Sequence, residues 1–205
     1  MTSGGSQHWE TVYSTKRETE VSWFQDYPAP SLAMIAAAGA TVASAVIDIG
    51  GGESRLVDAL VADGHRDVTV LDLSGTALQV ARQRMGAAAA GVEWIVADVT
   101  AWRPPRRFDI WHDRAAFHFL ADESERAAYV AALDAALPPG GHAIIATFAP
   151  DGPERCSGLP VTRYDGEGLA RALGAGFRRI DSRPHRHVTP WGAAQSFQFS
   201  LFRKE

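Results

Sequence analysis

The sequence predicts one α/β domain built on a mostly parallel sheet, and three observations predict it. Short β-branched runs alternate with helix-period segments from residue 45 to the end of the chain. Alternation at that spacing builds βαβ units, whose crossovers leave successive strands parallel. A glycine-rich turn, Asp48-Ile-Gly-Gly-Gly-Glu-Ser54, closes the first of these runs and opens the next helical one. The 205 residues are 46% hydrophobic and 21% charged, ordinary usage for a single globular core.

Element by element, residues 1–7 (MTSGGSQ) are small and polar and read as a disordered tail. Residues 8–26 carry Trp9, Tyr13, Trp23 and Phe24 around a charged TKRETE run, which suggests a short helix and a loop, either packed on the sheet or forming a lid. Tyr27 to Ile47 holds no charged residue, but Pro28, Pro30, Gly39 and Thr41 interrupt it. It reads as a helix over about 30–39, a turn and a buried strand, not as a membrane span. Strands are expected at 45–50, 67–73, 92–98, 107–113, 142–148, 177–181 and 196–202, and helices at 53–64, 74–85, 122–138 and 165–174. Gly64, Gly86, Gly91 and Gly140 fall where helices would stop. Pro184 to Gln195 has no helical pattern, so the last two strands should form a hairpin, with an antiparallel strand at that end. No repeat or linker divides residues 1–205.

With 20 basic and 24 acidic residues the net charge is −4, which argues against a nucleic-acid grip or a polybasic membrane patch. The single cysteine, Cys156, makes no internal disulfide and fits a reducing compartment. No basic start followed by an apolar segment suggests a signal peptide, so a cytoplasmic location is expected.

In open parallel sheets, ligands bind beyond the carboxyl ends of the strands, where the strand order reverses. The glycine turn lands there, and so do two strand-ending acids. Asp72 follows Gly52 at the reach where a carboxylate meets ribose hydroxyls, and Asp98 ends the third strand, within reach of an adenine amino group. A dinucleotide fingerprint would need glycine where Arg55 stands. Glu53 would also set its carboxylate against a pyrophosphate at the helix start. No Gly-Lys-Ser/Thr follows, so a P-loop is excluded. Asp48, a carboxylate inside the first strand, suits a ligand with positive groups, such as a sulfonium compound with an α-amino group.

These segments resemble the class I S-adenosylmethionine (SAM)-dependent methyltransferases. VIDIGGGES (46–54) is similar to their motif I, with Ser54 where many members have a last glycine. VLDLS (70–74) is similar to the acidic loop, VADV (96–99) to motif II, FDIWHDRAAFHFL (108–120) to motif IV, and LPPGGHAII (137–145) to the entry of strand five. The resemblance implies a Rossmann-like, seven-stranded, mostly parallel sheet with an antiparallel C-terminal hairpin strand. It implies SAM as cofactor and S-adenosylhomocysteine as product. Gly50, Gly51 and Gly52 would underlie the methionine moiety, with Asp48 at its amino end. Asp72 and Leu73 would border the ribose, Asp98 and Val99 would hold the adenine, and His112 would border the methionine end. DRAAFHFL with ERAAYVAAL is similar in part to the thiopurine S-methyltransferase family, and HWETVY…VSWF to the lead-in of small lysine methyltransferases.

On the acceptor side, His112 reads as a general base or as a packing histidine, and Asp113 and Arg114 as an ion pair or a substrate clamp. Trp23, Phe117, Arg155, Arg163, Tyr164 and Trp191 are the candidate acceptor-pocket residues. Cys156 reads as packing. His185 and His187 have no third ligand in view, so no metal is expected. The expected function is methyl transfer to an S, N or O nucleophile of a small molecule, by a monomer or homodimer without nucleic-acid or membrane partners. A protein-lysine methyltransferase and a non-catalytic SAM-binding protein are the alternatives. A nicotinamide dehydrogenase is disfavoured by Glu53 and Arg55.

Overall fold

The computed structural model describes residues 3–205. Strands β1 (Ala45–Ile49), β2 (Asp67–Asp72), β3 (Val92–Val96), β4 (Ile110–Arg114) and β5 (His142–Phe148) are mutually parallel. The sheet order is β3-β2-β1-β4-β5-β9-β8, where β8 is Phe177–Val188 and β9 is Ala194–Lys204. The chain moves outward from β1 to β3 and then returns to lay β4 on β1's other edge, so the order reverses between β1 and β4. The crevice of such a sheet opens at that point. β9 is the antiparallel strand, pairing Phe148 with Phe197 and His142 with Arg203. A separate two-stranded hairpin, β6 (Arg155–Cys156) and β7 (Leu159–Pro160), stands apart from the sheet.

Both sheet faces are apolar, as parallel strands covered on two sides require. Ile47, Ile49, Trp111, Ala143 and Ile145 pack on α5 (Glu123–Ala136) and α6 (Gly166–Leu173) through Tyr129, Leu133 and Leu169. Their alternates Val46, Val68, Val70, Ile110 and Ile144 face α2 (Ala29–Ala37), α3 (Leu56–Ala62) and α4 (Gly75–Met85) through Met34, Leu56, Leu60 and Leu78. α4 starts at Ser74, whose hydroxyl accepts the Ala77 N–H at 3.1 Å.

Several boundaries differ from the sequence expectation: β4 starts at Ile110 and not at residue 107, and β3 ends at Val96, so that Asp98 lies two residues beyond the strand it was expected to end. Residues 3–7 belong to helix α1 (Ser3–Thr15), so that part of the expected tail is ordered; residues 1 and 2 lie outside the described residues. Trp9, Val12 and Val21 form their own buried cluster with Trp23, Leu73 and Phe119, which holds the helix in place. α3 begins at Leu56 and not at residue 53, because Ser54 takes up a turn: its N–H donates to Gly51 O at 2.7 Å and its hydroxyl accepts the Leu56 N–H at 3.1 Å. β8 runs through Pro184 to Val188, and the hairpin turn is confined to 189–193. Proline is tolerated there because β8 is the sheet's edge strand. The uncharged Tyr27–Ile47 stretch divides into α2 and β1, and no described helix is long and apolar enough to cross a membrane.

Candidate active site

The crevice at the reversal point is floored by the glycine turn. Gly50 has φ +64°, and a Cβ there would lie 2.8 Å from that of Ala116 in the turn after β4. A Cβ on Gly51 would meet Val70 Cγ1 at 2.5 Å and Asp48 Oδ2 at 2.8 Å. Only a bare backbone fits between these neighbours, and it leaves a polar floor open to a ligand.

Asp48 and His112 face each other across the β1–β4 register. Asp48 Oδ1 lies 2.7 Å from His112 Nδ1, and His112 Nε2 lies 2.9 Å from the Ser31 hydroxyl on α2. All three are buried, Asp48 at 3% exposure and His112 at 2%. Both ring nitrogens of His112 are engaged within the protein, one by a carboxylate and one by a hydroxyl, so the ring is held between Asp48 on β1 and Ser31 on α2. Ser31 carried no signal in the sequence, lying 81 positions away on a helix.

Asp72, at the end of β2, is buried. Its Oδ1 accepts the Ser74 N–H at 2.8 Å, and burial pushes its carboxyl up to about 7 against those hydrogen bonds. Glu53 is also raised to about 7, by burial and then by the neighbouring Glu18 charge, with Asp72 adding to it. Leu73, Ala97 and Val99 form the apolar side wall. Asp98 is not part of that lining; its Oδ1 accepts the Thr100 N–H at 2.9 Å and hydroxyl at 2.7 Å.

Helix α1 lies over the opening. Glu10 Oε1 accepts the Gly75 N–H at 2.6 Å, at the start of α4. The Tyr13 hydroxyl sits 2.6 Å from where a Gly52 Cβ would stand, a point 3.3 Å from Asp72 Oδ2. Trp9 and Trp23 stack edge-on at 5.8 Å and close the same side. The crevice holds about 620 Å³ of empty space, part of it open to solvent.

At the end of β4, side-chain alternation sends Asp113 and Arg114 to opposite faces, so they form no ion pair with each other. Ala115, at φ +70°, turns the chain so that the Ala116 and Phe117 N–H groups reach Asp113 at 2.9 and 3.1 Å. The Tyr129 hydroxyl donates to Asp113 at 2.7 Å and accepts from Trp111 Nε1 at 2.8 Å. Asp113 is therefore a fully bonded structural carboxylate, raised to about 6 by burial. Arg114 lines the crevice. Its Nη1 donates to Trp23 O at 2.9 Å, and the guanidinium lies 4.9 Å over the Phe197 ring.

Of the six expected acceptor residues, only Trp23 lines the crevice. Phe117 and Tyr164 belong to the core beneath the sheet, 5.5 Å apart, with Phe117 packed 4.8 Å from Tyr129. Arg155, in β6, is held by Gly158 O, and Arg163, after β7, by Glu154 and Gly152 O. Trp191 is 59% exposed at the β8–β9 turn. Phe119, Ala115 and Cys156 stand in the wall where those residues were expected.

Residues 46–141, just under half the chain, match the family model described as a methyltransferase domain. No curated protein matches by sequence. Among solved structures, one reported with the conversion of a disulfide bond into a thioacetal group during echinomycin biosynthesis is 23% identical, with a TM-score of 0.78 over 98% of this chain and 91% of its own. The Burkholderia thailandensis 1,6-didemethyltoxoflavin-N1-methyltransferase, solved with 1,6-didemethyltoxoflavin and S-adenosylhomocysteine, is 24% identical, with a TM-score of 0.68 over 98% and 84%. NodS, an N-methyltransferase from Bradyrhizobium japonicum WM9 solved with S-adenosyl-L-homocysteine, is 17% identical, with a TM-score of 0.72 over 95% and 97%. The matched core, 46–141, is thus similar to a methyltransferase domain, and the whole chain shares its fold, with this strand order, with solved SAM-dependent N-methyltransferases.

Proposed function

We propose that the chain moves a methyl group from SAM to an S, N or O nucleophile of a small-molecule acceptor. One observation carries the reading. Three carboxylates, Asp48, Asp72 and Glu53, gather around a bare-backbone floor, with Arg55 and Arg114 the cations in the same linings. Asp72 and Glu53 are both raised to about 7, so the crevice holds more negative charge than it can solvate. An ammonium and a sulfonium relieve that excess, whereas a pyrophosphate adds to it. The residues present therefore fit SAM. Asp48, held by His112, would take the amino group, Asp72 the ribose hydroxyls, and the Leu73, Ala97 and Val99 wall the adenine. When bound, SAM supplies an activated methyl group, and alignment of the acceptor with its carbon supplies much of the rate.

Calorimetric titration with SAM, S-adenosylhomocysteine and NADH in parallel tests this. Micromolar binding of the two adenosyl compounds and none of NADH is expected. NADH binding without adenosyl binding would overturn the reading in favour of a dehydrogenase.

A further inference from the structure

Arg114 is the charged group that the cofactor reading leaves unused. Its Nε and Nη2 are buried with no hydrogen-bond partner, and among the described residues it forms no ion pair. Leaving guanidinium donors buried and unpaired is costly, and the cost lowers the Arg114 pKa to about 10. Its surroundings do not neutralise it. Asp48 acts on it only from a distance and is committed to His112. Cys156, pushed up to about 11 by burial, is a neutral thiol at pH 7. The remaining facing groups are His118, His185 and His187, each held below its ordinary value by burial and then by the Arg114 charge. The guanidinium lines the crevice together with Cys156, Phe119 and Trp23, and borders the adjoining space lined by Asp48 and Glu53.

We propose that the two vacant donors of Arg114 receive the methyl acceptor as an anion, and that the acceptor is a weak acid attacking as its conjugate base, a thiolate in the first instance. This rests on the methyltransferase reading and names the acceptor class for that same crevice. A second argument comes from proton balance. An alkylamine is an ammonium at neutral pH and must give its proton to a base before its nitrogen can attack. The histidines that feel the Arg114 charge are poor bases, His118 and His187 being pushed to about 3 and about 4, and Asp113 is saturated on the other face of the sheet. A thiolate needs no base. Its lone pair forms the new S–C bond while the sulfonium C–S bond breaks with its pair left on the departing thioether. Anion and cation disappear together and no proton is released. A thiol with an ordinary pKa of about 8.5 needs only a modest push from a neighbouring cation to ionise at neutral pH.

The test uses the full chain with S-adenosylhomocysteine as a dead-end partner, and benzenethiol and benzylamine as probes. Ultraviolet absorption reports the thiolate, and calorimetry reports binding. In the wild-type complex, benzenethiolate is expected to bind at least tenfold more tightly than benzenethiol, moving its titration midpoint down by about one pH unit. Benzylammonium should not bind. Arg114→Gln should return the midpoint to its free value while S-adenosylhomocysteine still binds as in wild type, and Arg114→Lys should keep part of the downward movement. If Arg114→Gln fails to fold, the wild-type titration and Arg114→Lys decide. The proposal is overturned if benzenethiolate does not bind, if its midpoint ignores Arg114, or if benzylammonium is preferred. Loss of S-adenosylhomocysteine affinity in a folded Arg114→Gln would overturn it too, assigning the guanidinium to the cofactor's carboxylate. Should S-adenosylhomocysteine fail to bind the wild type, the methyltransferase reading itself falls and this inference with it.

Discussion

Replacing Asp72 by asparagine should stabilise the ligand-free protein at pH 8 while crippling its cofactor affinity. The carboxyl moves from 3.8 to about 7 on folding, chiefly through burial. A raised acid pKa means that stability is fully present below the unfolded value and is lost as pH climbs through the folded one. About three pH units at 1.36 kcal/mol each set an upper bound of about 4 kcal/mol at pH 8. Asparagine removes the charge and keeps an oxygen for the Ser74 N–H, but places an amide NH2 toward the Gly52 N–H that Asp72 also engages, a loss of about 1 kcal/mol. A net gain of about 2–3 kcal/mol should raise the melting temperature by roughly 4–12 °C at this chain length. Below pH 4 the gain should vanish, because the wild-type carboxyl is then protonated in both states. Affinity for S-adenosylhomocysteine should fall by roughly ten- to a hundredfold with the charged hydrogen bonds to the ribose. Thermal melts at both pH values, with calorimetry at pH 8, measure all three quantities. A variant that is less stable at pH 8, or whose melting shift is the same at both pH values, would refute the assignment of a buried, electrostatically strained Asp72.

Three further changes probe the site's construction. Gly51→Ala forces a methyl group against Val70 and Asp48, so cofactor affinity should drop at least tenfold by calorimetry and the melting temperature should fall. Asp113→Ala leaves the Ala116 and Phe117 N–H groups and the Tyr129 hydroxyl without their acceptor, costing roughly 3–5 kcal/mol by urea denaturation; Tyr129→Phe should cost only about 1–2 kcal/mol. Glu10→Ala removes the contact between α1 and the start of α4, and stopped-flow tryptophan fluorescence should show faster entry of S-adenosylhomocysteine if α1 gates the crevice. An unchanged entry rate in a folded Glu10→Ala would make α1 a fixed wall.

What could be read in the sequence divides along physical lines. The parallel strands were legible because strands covered on both faces are near-continuous apolar runs, and Asp72 because it ends a strand that can only point into the crevice. The α1 boundary was not, since Gly4, Gly5 and Ser6 are poor helix formers and it is the packing around Trp9 and Val12 that overrides their propensity. Pro184 misled because a proline ends a strand except at an edge, and edge position is a property of the finished sheet. Phe117 and Tyr164 are chemically as suited to a pocket as Phe119. Which aromatic faces the crevice depends on the turn at Ala115, whose positive φ no alanine signals. The partnership of His112 with Ser31 is set by where α2 docks, and that leaves no local trace.

Charges of both signs line the crevice, and Arg114 is paired with none of its carboxylates. Asp48, Asp72 and Glu53 come from β1, β2 and the glycine turn, and the Arg114 guanidinium comes from β4. A structure selected for stability alone would let Asp48 and Arg114 approach as an ion pair, since each is desolvated without the other. His112 prevents this by holding the Asp48 carboxylate through its own ring, itself fixed by Ser31 on the far side. A cationic cofactor and an anionic nucleophile each find a complementary group, and each lowers the cost of burying the protein charge that receives it. Fixed dipoles and charges of this kind need no rearrangement when the reacting charges cancel, which is the physical basis of preorganised catalysis. On this account the Asp48–His112–Ser31 chain is an insulator between two charges. His112→Ala should then lower the affinity for S-adenosylhomocysteine, read by calorimetry, by letting Asp48 swing toward Arg114.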